Sequence, residues 1–314
     1  MTEGRDQALR TLTEAWLGLH QVAPESAPSI VRTEVLRPGR PGLIDIVADV
    51  DGRLAHLVVG LRGVADEQHF LRSGEEAALG LLDDDDGLAV CTDALRDAQL
   101  GPLLLATVRG VTPRPGPVAV LRDDADSTVL DCGDRGDLMV FPWLSDEPRP
   151  EVDLMVALEA AGFNHVAAPL VRWVADGRDL GVVQEPLADR SGGWALALTS
   201  LRDFYASGGA PETAGGDFGS EARAVGVMTA RLHLALDVAF ERQHEMVADW
   251  VGQAEATIAA ADPSLLEAPG VAELVKWLSD VEVRLPVLRT HGDLQLERTA
   301  RTDAGWVVSD CRPG

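Results

Sequence analysis

Residues 291–310 read HGDLQLERTARTDAGWVVSD, and this segment decides the fold. The apolar run 285–288 leads into it, and Asp293 follows directly after a His-Gly pair. Seventeen residues later, the strand-like run 305–309 ends at Asp310. A turn followed by this strand-like run predicts a short hairpin with one carboxylate on each side.

Two carboxylates that flank a hairpin have the residue types that phosphoryl transfer needs. One orients and deprotonates the acceptor hydroxyl, and the other holds magnesium on the phosphates. Histidine, glycine and aspartate are also common turn residues, so Asp293 and Asp310 have a second interpretation as caps of local turns. The residues alone leave both interpretations open.

The composition excludes several classes of protein. The chain of 314 residues has 51 acidic against 27 basic residues, a net charge of −24, which opposes binding to nucleic acid or anionic membranes. It has no apolar stretch long enough to span a bilayer, and its polar start is unlike a secretory signal. Three scattered cysteines indicate a reducing, cytoplasmic location. Lys276 is the only lysine.

The hydrophobic pattern divides the chain into three parts. An amphipathic helix at 5–20 precedes strands at 30–36, 43–50 and 54–59, and a tight Asp51-Gly52 turn joins the last two. The region 66–107 predicts two helices and an exposed acidic loop at 83–86. Strands and one helix follow, and the last part is mostly helical. These later elements are predicted at 118–121, 129–130, 138–141, 150–161, 166–174, 180–183, 221–236, 243–261 and 264–282.

Four segments together resemble the actinobacterial maltokinases, a family of ATP-dependent sugar kinases. The sequence of residues 138–141 and 150–154 is similar to the family's strand and following helix, and 181–185 to its hinge. Residues 193–195 with 215–218 form the most distinctive match. Residues 291–294 with 305–308 and Asp310 are similar to its catalytic hairpin.

The resemblance implies an α+β, protein-kinase-like bilobal fold of the aminoglycoside phosphotransferase type. It places an N-terminal cap domain at 1–107, an N-lobe with hinge at 108–187 and a helical C-lobe at 188–314. The family's C-lobe continues well beyond the position of Gly314, so we expect a shortened C-lobe here. The expected ligands are ATP, magnesium and a sugar.

The resemblance also assigns roles to individual residues. Asp293 corresponds to the catalytic base and Asp310 to a magnesium ligand. The expected nucleotide-binding residues lie in a phosphate-facing loop and in the hinge, and they are Ser127, Thr128, Gln184 and Glu185.

Several residues depart from the family pattern. Met139 stands where the family has a phosphate-binding lysine, and Asp153 replaces the helix glutamate that pairs with that lysine. Arg298 occupies the position of a metal-binding amide, and Arg312 follows Asp310 closely. Arginines at these positions oppose the binding of a divalent cation.

These departures favour a protein with a degraded active site. We expect a pseudokinase-like binding or regulatory module linked to trehalose or glycogen metabolism, with a protein partner that the sequence does not identify. The alternative is an active ATP-dependent kinase of maltose, or of another sugar or aminosugar, that forms a sugar phosphate. In the first case Arg298 pairs with Asp293 and Asp310 in place of a metal. Its rival interpretation is an arginine that points to solvent.

Overall fold

The first part of the chain is a helix packed on a six-stranded antiparallel sheet. The computed structural model describes residues 2–64, 77–116, 118–187, 190–209 and 218–312. Helix α1 (Thr2–Leu19) covers the sheet with its buried apolar side chains, as its spacing predicts. The strands are β1 (Ser29–Arg37), β2 (Gly42–Val50), β3 (Arg53–Gly63), β4 (Ala78–Asp84) and β5 (Gly87–Asp93), in the order β1-β2-β3-β5-β4.

Local turn chemistry sets the register of the β2–β3 hairpin. Asp51 and Gly52 have φ angles of 52° and 83°, the left-handed pair of a two-residue turn that matches strand twist. Val50 consequently pairs with Arg53.

The region 66–107 differs from its prediction. Strands β4 and β5 form a second hairpin, and the acidic run 83–86 supplies the end of β4 and its turn. Among the described residues one helix follows, α2 (Gly101–Arg109). Residues 79–82 and 88–91 are short apolar runs on either side of an acidic turn, and short apolar runs bounded by turn residues fit strands better than helices. Residues 65–76 lie outside the described ranges.

The middle of the chain forms a five-stranded antiparallel sheet with one helix on each face. Its strands are β6 (Ala119–Asp123), β7 (Thr128–Asp131), β8 (Asp137–Val140), β10 (Pro169–Ala175) and β11 (Arg178–Gln184), in the order β10-β11-β8-β7-β6. Strand β9 (Trp143–Leu144) follows β8 in the chain but pairs with β3, and it is the sixth strand of the first sheet.

Side-chain alternation gives each face of this sheet its own core. Met139 and Val182 pack with helix α3 (Pro150–Ala160). Leu138 and Val183 point the other way, into the core around α2. Because successive residues of a strand face opposite sides, Met139 lies on the α3 face.

The last part of the chain is mostly helical. Its elements are β12 (Ser191–Gly192), α4 (Gly193–Ser207), α5 (Gly219–Ala239), β13 (Gln243–Met246), α6 (Val247–Ala261), α7 (Pro269–Ser279), β14 (Arg284–Val287), β15 (Thr299–Thr302) and β16 (Gly305–Val308). The helix predicted at 243–261 is preceded by the short strand β13, and the one predicted at 264–282 is shorter. Through Met228, Leu232 and Leu236, α5 packs in the α3 core. Of the helices described, none combines the length and apolar character that a membrane crossing requires.

Candidate functional site

The predicted C-terminal hairpin is present as β15 and β16. Thr299 pairs with Val308, and Thr302 pairs with Gly305. The strand is anchored on both sides, since the indole Nε1 of Trp306 donates to Glu221 at 2.5 Å and the amide of Val308 donates to the carbonyl of His165 at 2.8 Å. This anchoring fixes the chain direction just before Asp310.

His291 joins the beginning of the segment to its end. Its ring is 2% exposed, and its Nε2 donates to the backbone carbonyl of Asp310 at 2.7 Å. The other ring nitrogen, Nδ1, has no hydrogen-bond partner among the described residues. His291 therefore holds the two carboxylate-bearing segments together, and the sequence analysis gave it no catalytic role.

Asp293 is held by its own loop. Its Oδ2 lies 2.8 Å from Nη2 of Arg298, and its Oδ1 accepts from Nε2 of Gln295 at 2.5 Å. The carboxylate stays partly exposed, at 27%. Arg298 also donates to the backbone carbonyl of Arg312, so its partners among the described residues are Asp293 and this carbonyl. Of the two carboxylates expected for Arg298, the structure shows Asp293 and not Asp310.

Asp310 is instead held by two other arginines. Its Oδ2 lies 2.6 Å from Nη1 of Arg122 and 2.8 Å from Nη2 of Arg312. Burial opposes the charged form, but the hydrogen bonds from Arg312 and the charge of Arg122 outweigh it and hold the pKa of Asp310 below its usual value. The carboxylate is therefore ionised and fully occupied by guanidinium groups.

Arg122 reaches Asp310 from the second sheet. It lies in β6, immediately before the loop 123–128, and its Nη2 also donates to the buried hydroxyl of Ser127 at 2.7 Å. Asp124 in this loop accepts the amides of Asp126 and Ser127 on Oδ1, and its Oδ2 lies 2.8 Å from Nη1 of Arg312. Two arginines and two aspartates thus connect the loop with the end of the hairpin. We call Arg122, Asp124, Asp310 and Arg312 the ion cluster.

Helix α3 contributes a buried carboxylate to the same region. The Glu151 side chain is 7% exposed and lies 3.7 Å from Arg149. Burial lowers the pKa of Arg122, and the carboxylates of Asp310 and Glu151 counteract this effect. Asp153, the residue that the resemblance placed opposite the lysine position, is 40% exposed and lies 4.0 Å from Arg172. The inward-facing acid of α3 is therefore Glu151, which the sequence analysis missed.

The position to which the resemblance assigns a lysine provides no cation. Met139 is 3% exposed and is enclosed in the α3 core. Lys276 lies on α7 and is exposed. Cys311, next to Asp310, is fully buried, and burial raises the pKa of its thiol to about 12. This thiol stays protonated at neutral pH and is no nucleophile.

The predicted nucleotide-binding residues fall into two groups. Ser127 joins Asp310 through Arg122, while Thr128 donates to Asp123 at 2.9 Å. Gln184 is buried and donates to the sulfur of Met155 in α3. Glu185 points to solvent, and its amide donates to the carbonyl of Ala168 at 2.8 Å.

Arg190, which follows the predicted hinge, forms ion pairs with residues of β7 and β8. Its guanidinium bridges Asp137 at 2.6 Å and Asp131 at 2.9 Å. Burial raises the pKa of Asp137, against the hydrogen bond and charge of Arg190. The described ranges do not include residues 188–189 or residues 215–217. Residues 215–217 belong to the most distinctive part of the resemblance.

The donor set at Asp310 does not fit magnesium. Mg²⁺ requires near-octahedral oxygen ligands and usually one or two protein carboxylates. Here Asp310 is neutralised by two guanidinium groups, and Arg298 stands where the resemblance places an amide ligand. Nowhere in the described residues do three His, Cys, Asp or Glu side chains gather in a way that could hold a metal ion.

Comparison with known proteins shows the fold. No family model matches the chain. Three solved glucosamine kinase structures are similar to it, with TM-scores of 0.56, 0.57 and 0.59 and sequence identities of 19%, 18% and 20%. They cover 94%, 98% and 95% of this chain, which spans 67%, 72% and 70% of theirs. The second is a complex with glucosamine, ADP and inorganic phosphate. The chain therefore has the fold of these sugar kinases.

Proposed function

We propose that this chain is a sugar-kinase-like protein in which arginines close the metal site, and that it acts as a pseudokinase-like binding or regulatory module. The ion pair between Arg122 and Asp310 carries this proposal. In the reading that the resemblance suggests, Asp310 would face magnesium and the loop 123–128 would face phosphate. The ion cluster joins these two parts directly.

The energetics favour the closed arrangement. A metal ion at Asp310 would have to displace both guanidinium groups, whose side chains are only 19% and 20% exposed. Arginine stays protonated in proteins, so neither group gives way by losing its charge. Removing one partner of a buried ion pair typically costs about 3–5 kcal/mol, because the other charge is left uncompensated. Metal binding would carry a cost of this kind.

The absence of a lysine at position 139 also supports this proposal. In kinases a lysine pairs with the phosphates and with a helix glutamate, and both contacts must form. Here the corresponding strand residue is the buried Met139, and among the described residues the cation nearest to the Glu151 carboxylate is Arg149, at 3.7 Å. The charges that would stabilise a transferring phosphoryl group are therefore engaged elsewhere.

A second candidate function is phosphorylation of a sugar or aminosugar. The similar structures are glucosamine kinases, and Asp293 remains partly exposed in the predicted base position. Arginine forks also bind phosphate well. A phosphate group that displaced Asp310 from Arg122 and Arg312 would find two cations in place. Sugar and nucleotide ligands thus belong to both candidates, and the trehalose or glycogen link and the cytoplasmic location stay predictions.

Release of ADP distinguishes the two functions. The purified chain is incubated with ATP and magnesium and with glucosamine, maltose or glucose, and ADP is measured by a coupled assay. We expect turnover far below about 1 s⁻¹, the lower end of the kinase range. Asp293→Asn is the control, because genuine turnover by this site must fall with it. Turnover near 1 s⁻¹ that is lost in Asp293→Asn would establish the kinase and refute the module.

A further inference from the structure

A cavity of about 320 Å³ lies beside the end of α2, outside the site described above. Buried Leu105 and Ala106 line its inner side, and Arg109, Arg114 and Arg135 converge on it. Among the described residues that line it there is no carboxylate. This grouping stands out in a chain with a net charge of −24.

Backbone carbonyls accept hydrogen bonds from the side chains of Arg109 and Arg135. Nη1 of Arg109 donates to the carbonyl of Arg135 at 2.5 Å. Arg135 donates through Nε to the carbonyl of Cys132 at 2.7 Å and through Nη1 to that of Arg114 at 2.8 Å. Within the described part of the chain, neither Arg109 nor Arg114 has a carboxylate within ion-pair distance. In the ion cluster, by contrast, each arginine meets an aspartate.

The cavity and the ion cluster lie on opposite faces of the second sheet. Leu105 packs in the core that contains Leu138 and Val183. Met139 and Val182, which alternate with them along β8 and β11, belong to the α3 core on the other face. A ligand in this cavity is therefore distinct from one between the loop 123–128 and Asp310.

The turn that carries Arg135 also contacts the predicted hinge. Gly136, the next residue, packs so closely on β11 that an added Cβ would lie 2.5 Å from the carbonyl of Gln184. A ligand that moved this turn would press directly on the strand that carries Gln184.

We propose that this cavity binds a small organic anion with a phosphate or carboxylate head and an apolar body. Arginine forks match the geometry of both head groups, and prearranged guanidinium groups lose little entropy on binding. The side chains of Leu105, Ala106 and Val111 offer the apolar contact, as is usual for pockets of about 300–1,000 Å³. The proposal is independent of whether the chain phosphorylates sugars.

Calorimetry with phenyl phosphate tests the proposal. We expect saturable binding to the wild-type chain and none of the uncharged analogue benzyl alcohol. Arg109→Gln should weaken binding at least tenfold, whereas Arg10→Gln, which removes an equal charge from the exposed face of α1, should leave it unchanged. Val111→Ser should weaken binding of phenyl phosphate more than that of inorganic phosphate. Benzoate in place of phenyl phosphate shows which head group the site prefers.

Three results would overturn the site. The first is that neither phenyl phosphate nor benzoate binds up to about 10 mM. The second is that Arg109→Gln binds phenyl phosphate with the affinity of the wild-type chain. The third is that binding is lost in Arg122→Gln and kept in Arg109→Gln, which would assign the anion to the ion cluster. Should Arg109→Gln fail to fold, Arg114→Gln replaces it. Arg114 is exposed, and within the described ranges its side chain makes no hydrogen bond or ion pair, so an unchanged affinity there is equally decisive.

Discussion

Nη1 of Arg122 lies 2.6 Å from Oδ2 of Asp310, 188 residues further along the chain. This contact joins the strand before the loop 123–128 to the end of the hairpin, and Arg312 completes it through Asp124. An arginine thus neutralises the carboxylate to which the sequence resemblance assigns a metal. The contact has consequences for stability, for acid sensitivity and for ligand binding.

The ion cluster should contribute measurably to stability. Replacing Asp310 by Asn leaves Arg122 and Arg312 facing a neutral amide. Because both arginines keep about a fifth of their surface in water, we expect the free energy of unfolding to fall by about 1–3 kcal/mol, less than for a fully buried pair. Urea denaturation at pH 7 measures the change. Asp280→Asn, on the exposed end of α7, removes the same charge and should change stability by less than about 0.5 kcal/mol. Equal stability of the Asp310 variant and the wild type would mean that the cluster is energetically neutral.

The same cluster should make stability depend on acid. The folded state holds the pKa of Asp310 below its usual value, so the stabilisation is fully present above the unfolded pKa of about 3.9 and is lost as pH falls through the folded pKa. The pKa of Asp124 is also lowered, against burial, by the amide hydrogen bonds of Ser127 and Asp126, so it contributes with the same sign. The stability difference between wild type and Asp310→Asn should therefore shrink from pH 7 to pH 3. A difference that is constant over this range would contradict the assignment.

Glu151 and Asp153 provide a matched pair on one helix. Glu151→Gln should lower the free energy of unfolding by about 1–3 kcal/mol, because Arg149 and Arg122 lose a nearby buried charge. Asp153→Asn should cost less than about 0.5 kcal/mol, because this carboxylate is 40% exposed and its ion pair is long. Chemical denaturation of both variants measures the contrast. The reverse order would restore Asp153 as the inward-facing acid.

Two neighbouring glycines test how tightly the hairpin is seated. A Cβ on Gly193 would lie 2.6 Å from the carbonyl of Leu296 and 2.9 Å from the ring of Trp306, whereas one on Gly192 meets nothing within 4 Å. We expect Gly193→Ala to destabilise the chain by about 1–3 kcal/mol, as overpacking does, and Gly192→Ala to be tolerated. Thermal unfolding of the two variants gives the comparison. Similar melting temperatures would show that the hairpin adjusts freely.

Local patterns predicted the local structure well. The turn at Asp51 and Gly52 and the hairpin that ends before Asp310 follow from residues that are close in sequence. One interpretation of Arg298 paired it with Asp293 and Asp310, and the structure shows the contact with Asp293, which is five positions away. Such features depend on turn chemistry and strand alternation, which the sequence shows directly.

Local sequence patterns did not predict contacts between residues far apart in the chain, or which side of a helix faces the core. Nothing near Arg122 in the sequence indicates that it reaches Asp310, since only the folded chain brings β6 to the end of β16. On α3, Asp153 is two positions after Glu151, and at 3.6 residues per turn that places them on nearly opposite sides of the helix. The resemblance drew attention to Asp153 on this helix, whereas the buried carboxylate is that of Glu151.

The magnesium dependence of ADP binding tests the central claim most directly. Calorimetric titration of the wild-type chain with ADP, in magnesium and in EDTA, should give the same affinity in both, or no binding in either, because the carboxylate of Asp310 is engaged by Arg122 and Arg312. The double variant Arg122→Gln, Arg312→Gln frees that carboxylate and should gain a magnesium-dependent component. Binding to the wild-type chain that is at least tenfold tighter in magnesium than in EDTA would contradict the account.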